Sequence, residues 1–116
     1  MSDTPSTPAE TKTWPHTAVN LAELIRCQTG SVVSRVLLKR PAGNVTLFAF
    51  DAGQELSEHT APFDAVVQVV DGEAEITLAG TLHRVQRGEV LLLPAGRPHS
   101  VRAPVELKML LTMIRQ

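Results

Sequence analysis

Short apolar runs separated by turn residues occupy most of the chain. Runs rich in aliphatic and β-branched residues cover 31–39, 45–51, 66–70, 73–78, 82–86, 90–93, 99–103 and 105–114. The run 73–78 alternates strictly between apolar and polar positions, as a strand with one buried face does. Glycine-containing pairs such as Asp71-Gly72 separate the runs, as tight turns require. Eight or nine short strands with regular turns predict an all-β sandwich or a small barrel.

The N-terminal part follows a different pattern. Residues 1–16 are polar and rich in Pro, Ser and Thr, which predicts a tail before a single domain of residues 17–116. We expect Trp14, the aromatic residue of that tail, to dock on the barrel or on a partner subunit. Residues 20–27 predict a short helix, because Asn20 can cap it and Glu23 lies three residues further on. The barrel itself is expected over about 31–114.

Composition narrows the class of protein. The 116 residues include 11 Lys and Arg against 12 Asp and Glu, and aromatics make up only 3%. A near-neutral chain with few stacking side chains argues against binding to nucleic acid. The sequence shows neither a signal peptide nor an apolar run long enough to span a membrane, so we expect a cytoplasmic protein without a membrane partner. Cys27 is the only cysteine and cannot form an internal disulfide.

Two motifs then become visible at a definite spacing. Residues 88–99 match the pattern G-x5-P-x-G-x2-H, which ends at His99. Gly53 followed after five residues by His59 matches the opening of the pattern G-x5-H-x-H-x(3,4)-E-x6-G, and Gly72 stands at its closing glycine. In these motifs and their order the chain resembles the cupin family, in its small single-domain form. The resemblance implies a double-stranded β-helix, the cupin jelly-roll barrel, preceded here by the short helix.

The chain departs from the cupin pattern at the metal ligands. Metal-binding cupins take two His and a Glu from the first motif and a third His from the second. His59 and His99 are kept, but Ala61 and Ala65 stand at the other two positions. Two imidazoles are fewer ligands than zinc or non-heme iron sites use. Asp64 is a speculative third ligand, provided that a β-bulge near Pro62 turns it inward.

Three functional hypotheses follow from this degenerate site. The leading one is a module that binds a small molecule in the barrel, with no resident cofactor and no full metal site. The second is a metal-dependent cupin enzyme of oxygenase or isomerase type, in which His59 and His99 share a divalent metal with an unconventional third ligand. The third is a structural dimerising barrel whose pocket is plugged by side chains. Whether the protein is an enzyme stays open, and small cupins of this kind favour a homodimer.

The candidate pocket is defined by the motif positions and by nearby bulky residues. The two alanines leave room beside the histidines that either a ligand or an aromatic side chain must fill. Met109 lies on the last strand, where core packing is the favoured role. The predicted pocket residues are His59, His99, Ala61, Ala65, Phe63, Phe50 and Met109.

Overall fold

Residues 17–115 form nine antiparallel strands in two sheets that pack face to face. The structure is a computed structural model, and it describes these residues only, so the docking predicted for Trp14 lies outside the described part of the chain. The strands are β1 (Val32–Arg40), β2 (Gly43–Phe50), β3 (Glu55–His59), β4 (Asp64–Asp71), β5 (Glu73–Leu78), β6 (Thr81–Gln86), β7 (Val90–Leu93), β8 (His99–Arg102) and β9 (Leu107–Ile114).

The strand order is that of a jelly-roll barrel. One sheet has the order β1-β2-β9-β4-β7, and the other has the order β3-β8-β5-β6. Consecutive strands alternate between the sheets over much of the chain, so the interior is closed by residues distant in sequence. The turn expected at Asp71-Gly72 connects two strands as predicted, and the glycine-containing pairs Ala79-Gly80 and Arg87-Gly88 also connect strands. The all-β barrel predicted from the sequence is confirmed.

The pattern of apolar runs did not predict strand β3. In β3 only Leu56 is partly buried, and its other residues are exposed and mostly polar. Pairing with β8 holds it in place, with Glu55 opposite Arg102 and His59 opposite His99. The register shifts between Leu56 and His59, as a bulge in a short edge strand does. The strand that carries His59 is therefore defined by its partner and not by its own hydrophobic pattern.

The core lies between the sheets and consists of aliphatic residues with a single fully buried aromatic ring. Alternate residues of β4 and β9 point into it, as the two-residue period of strands requires. Phe50, Ile76, Leu107 and Val67 have essentially no exposed surface. The buried members of this core are Phe50, Ala65, Val67, Val69, Ala74, Ile76, Val85, Leu93, Val101, Ala103, Leu107 and Met109.

The helix predicted over 20–27 is wrong: only a single 3₁₀ turn, Leu21–Glu23, is present. Asn20 does cap it, since its side-chain oxygen accepts the N–H of Ala22 at 3.0 Å. The chain does not continue as a helix, because side chains of the barrel bind the carbonyl groups that a helix would use. Lys108 donates to the carbonyl of Ala22 at 2.6 Å, and Arg35 donates to that of Leu24 at 2.8 Å.

This N-terminal segment covers part of the outer face of the five-stranded sheet. Ile25 is buried against Leu47 and Ala49 of β2 and Leu37 of β1. The packing forms a second, smaller apolar cluster outside the barrel. No helix within residues 17–115 is long and apolar enough to cross a membrane.

The uncovered part of that face is apolar, whereas the other sheet presents charges. Cross-strand partners form a row over all five strands, from Leu38 through Val45, Thr112 and Val66 to Leu92. Leu92 at the end of this row is 54% exposed. On the four-stranded sheet, in contrast, Arg84 lies 3.6 Å from Glu73 and 3.7 Å from Glu75, and Arg102 lies 3.0 Å from Glu75. The two outer surfaces therefore differ in chemical character.

Candidate functional site

The structure brings together the two histidines that the motifs single out. His59 ends β3 and His99 begins β8, and the two residues are cross-strand partners. Their ring centroids are 4.4 Å apart, with the rings nearly edge to face. His99 is buried with 9% of its surface exposed, whereas His59 is exposed. The pair therefore extends from the solvent edge of the barrel into its interior.

The glycine-containing turn of the second motif positions His99. Gly96 has a φ of +79°, which glycine adopts without steric cost. Its N–H donates to the carbonyl of Ala61 at 2.8 Å, so the loop of the second motif is bonded to the first. Asp64 adds a second link, because its Oδ1 accepts the N–H of Ala95 at 2.8 Å. These two bonds hold the loop that leads into His99.

Backbone carbonyls define the tautomer of each ring. Nδ1 of His59 lies 3.0 Å from the carbonyl oxygen of Ser57, and Nδ1 of His99 lies 3.2 Å from that of Arg97. A carbonyl oxygen only accepts, so each Nδ1 must carry the proton. In the neutral rings both Nε2 atoms are then bare acceptors. No sequence signal indicated these carbonyl partners, because every residue has a carbonyl.

The environment of His99 favours its neutral form. Burial lowers the pKa of His99 below the ordinary histidine value, since a charged ring would lose hydration. The bond to the Arg97 carbonyl opposes this shift, and the neighbouring His59 adds to it through charge repulsion. The lowered pKa keeps the inner ring an acceptor at neutral pH.

The other predicted pocket residues lie at different depths. Ala65 is buried, with 6% of its surface exposed, and Ala61 is partly buried. Phe63 is partly buried, and the guanidinium carbon of Arg115 lies 5.8 Å from its ring centroid. Phe50 is fully buried opposite Leu107.

Phe50 and Met109 therefore belong to the packed core. β8 starts at His99, and the chain reaches Leu107 only after that strand and a loop. Phe50, as the partner of Leu107, thus lies at the end of the barrel away from the histidines. Met109 retains 2% of its surface and packs in the same core.

The donor set does not fit a full cupin metal site. Within residues 17–115 no three His, Cys, Asp or Glu side chains are grouped so that they could hold a metal ion. Asp64, the speculative third ligand, is exposed, and one of its oxygens is bonded to Ala95. Zinc takes three or four protein ligands and non-heme iron takes two His and a carboxylate. The described residues supply only the two imidazoles.

These features define a class: a small jelly-roll barrel with a histidine pair at one end. The cupin domain profile matches residues 46–115, more than half of the sequence, and the chain belongs to the cupin family. No curated protein matches the chain.

Solved structures share this fold along most of the chain. A conserved protein of unknown function from Streptococcus pyogenes is 32% identical with a TM-score of 0.84, covering 88% of this chain and 90% of that one. A cupin superfamily protein from Desulfitobacterium hafniense is 27% identical with a TM-score of 0.85, covering 89% and 95%. A Cupin 2 conserved barrel domain protein from Leptotrichia buccalis is 39% identical with a TM-score of 0.81, covering 84% of this chain and 47% of that one. None of these names includes a ligand, so a functional proposal must rest on the geometry of the site.

Proposed function

We propose that this chain binds a small molecule at one end of the barrel, where His59 and His99 hold it as a pair of hydrogen-bond acceptors. The observation that carries this proposal is the bonding of each Nδ1 to a backbone carbonyl. It leaves two Nε2 lone pairs on rings whose centroids are 4.4 Å apart. The ligand that suits such a pair carries two neighbouring donors, as an uncharged polyol or a primary amide does.

The surroundings of the pair support binding more than plugging. Alanines stand where longer ligand side chains occupy the family pattern, at positions 61 and 65. Phe50 is engaged in the core at the far end, and Phe63 lies beside Arg115. The exposed ring of His59 leaves a ligand access from solvent, and the buried ring of His99 gives it a hydrogen-bond acceptor that is shielded from water.

The proposal is tested by titrating the full chain with ribose, acetamide and acetate at about pH 8, well above the ordinary pKa of a histidine. We expect saturable NMR shift changes at His59, His99 and Ala61 with the two uncharged donors and none with acetate. His99→Ala removes the response, whereas His83→Ala, at a partly buried histidine of β6, retains it. Binding of acetate alone, or an unchanged response in His99→Ala, would contradict the acceptor pair.

A metal assay separates this proposal from the enzymatic alternative. Purified protein is analysed for transition metals, alongside His59→Ala. A stoichiometric metal that is lost in the variant would overturn the proposal and favour a metal-dependent cupin enzyme. A metal content that is substoichiometric and equal in both proteins supports ligand binding by the imidazoles themselves.

We further propose that the protein forms a homodimer through the apolar row on the outer face of the five-stranded sheet. This row is apolar on four of the five strands, with Thr112 on β9, and monomers rarely leave such an extended apolar surface in solvent. The two ends of this face carry opposite charges, with Arg35 and Arg40 on β1 and Asp64 on β4 next to β7. A two-fold axis parallel to β9 lays β1 of one copy over β7 of the other, so basic and acidic ends meet twice. A sedimentation mass equal to one chain at micromolar concentration would contradict it.

A further inference from the structure

A cleft lies at the end of the barrel away from the histidine pair. It measures about 170 Å³ and is lined by Arg26, Cys27, Asp71, Glu106 and Lys108. At roughly 30 Å³ per water, it has room for about five water molecules. A neighbouring open cleft of about 460 Å³ shares Arg26 and Lys108 with it. Four of the five residues that line the smaller cleft are charged, two of each sign.

The basic wall of this cleft is built by the N-terminal segment and β9. Lys108 projects from β9 and donates to the carbonyl of Ala22 at 2.6 Å, so two of its three donors have no hydrogen-bond partner among residues 17–115. The segment that carries Arg26 is fixed on both sides of it. Arg35 binds the carbonyl of Leu24, and the N–H of Gly30 donates to Asp51 at 2.6 Å.

The acidic wall is built by two loops that touch through their backbones. Asp71 ends β4, and the next residue, Gly72, has a φ of +82°. A Cβ at Gly72 would stand 2.0 Å from the carbonyl oxygen of Glu106. The β4–β5 turn and the loop before β9 therefore approach as closely as two backbones can. This close approach brings the backbones of Asp71 and Glu106 near each other in the lining of the cleft.

Within residues 17–115, no ion pair shorter than 4.0 Å joins the two walls of the cleft. Among the described residues, the ion pairs within 4.0 Å involve only Arg84 or Arg102 with Glu73 or Glu75. Asp71 is the strand partner of Lys108, yet their charged groups lie further apart than that limit. A simple anion in the cleft would meet two carboxylates, and a simple cation would meet two basic groups. A molecule with both charges close together satisfies both walls.

We propose that this cleft binds a small zwitterion of the α-amino acid class, with its carboxylate toward Arg26 and Lys108 and its ammonium toward Asp71 and Glu106. Cys27 lines the floor of the cleft, and its thiol does not act as a reactive group. Its thiol donates to the carbonyl of Phe50 at 3.3 Å. Burial raises the pKa of this thiol, as does the charge of Glu106, so it stays protonated at neutral pH.

The test is an amide NMR titration of the full chain with L-alanine, and separately with propionate and with ethylammonium, at matched ionic strength. We expect alanine to cause saturable shifts at Arg26, Asp71, Gly72, Glu106 and Lys108. Propionate and ethylammonium each lack one charge and should give weaker, non-saturating shifts. An equal response to propionate would overturn the assignment of a zwitterion, and the absence of a saturable response to alanine would overturn the site.

Matched variants locate the response within the fold. Arg26→Gln and Glu106→Gln change exposed side chains and should each weaken alanine binding about threefold to fivefold. Arg84→Gln, at an exposed arginine on the other sheet, should leave it unchanged. His99→Ala should leave it unchanged as well, which separates this site from the histidine pocket. Equal affinities in all four variants would overturn the proposal.

Discussion

Burial of a single imidazole links the candidate site to the stability of the barrel. The pKa of His99 is lowered in the folded chain, chiefly by burial. In the unfolded chain the same ring has the ordinary value of about 6.5. The unfolded chain therefore binds more protons than the folded chain between the two values. The stability that depends on a neutral His99 is complete above about pH 6.5 and is lost as the pH falls toward the folded pKa.

This linkage predicts the behaviour of a substitution at the ring. In His99→Asn the free energy of unfolding should fall less steeply between about pH 7 and 5 than in the unchanged chain, because the titrating group is gone. Urea unfolding at a series of pH values measures the slope. His83→Asn, at a partly buried histidine on β6, serves as the control and should keep the original slope. Identical slopes in all three proteins would show that His99 titrates normally.

At the same scale, the motifs predicted which residues meet but not how they are bonded. The resemblance of the two motifs to the cupin pattern implied that His59 and His99 share a site, and the structure makes them cross-strand partners. The carbonyls of Ser57 and Arg97 that orient the rings could not be predicted, because every residue has a backbone carbonyl and residue type does not show which one binds a ring. The bond from Asp64 to the N–H of Ala95 was missed for a related reason. Its partner belongs to a loop 31 residues away, whose position depends on the whole fold.

Among the elements, the β4–β5 turn is tightly constrained by its surroundings. Gly72 combines a left-handed backbone with a contact to the carbonyl of Glu106 that leaves no room for a side chain. Gly88, between β6 and β7, has a similar φ of +89° but nothing within 4 Å of a built Cβ. The two glycines thus differ in packing and share the same backbone requirement.

That difference predicts unequal costs for the same substitution. Gly88→Ala should destabilise the fold by about 1–2 kcal/mol, the cost of a left-handed alanine. Gly72→Ala should cost a further ~1–3 kcal/mol, because the turn must move away from the Glu106 carbonyl. Urea unfolding of both variants gives the two values. Equal destabilisation would mean that the β4–β5 turn relaxes freely.

The elements also show where hydrophobic patterning succeeds. Runs such as 73–78 and 90–93 coincide with strands. One buried face imposes the alternation of 73–78, whereas 90–93 is continuous because Val90 and Leu92 on its outer side are apolar although exposed. β3 was missed because it is an edge strand with a polar, exposed sequence. The helix over 20–27 was predicted from a real cap at Asn20. The hydrogen bonds that distant side chains donate to the carbonyls of Ala22 and Leu24 outweighed this cap. The local sequence pattern does not reveal those donors.

For the whole molecule, the unequal outer faces predict a specific sensitivity of the proposed dimer. Leu92 on the apolar row and Leu82 on β6 are 54% and 53% exposed, so they differ in location and not in exposure. Leu92→Glu should reduce the sedimentation mass to that of one chain, because it places a charge within the buried row. Leu82→Glu should leave the dimer intact. A dimer that survives Leu92→Glu but not Leu82→Glu would assign the interface to the charged sheet.

The position of β9 has a consequence for how the barrel forms in time. The last strand of the chain lies at the centre of the five-stranded sheet, between β2 and β4. Neither of those strands can complete its pairing until residues near position 110 are available. Loops of some 60 residues must close for β2 to meet β9, and such non-local pairing is associated with folding in milliseconds to seconds. Until β9 is available, β2 can pair only with β1 and β4 only with β7, so each strand has one open edge that is exposed to aggregation.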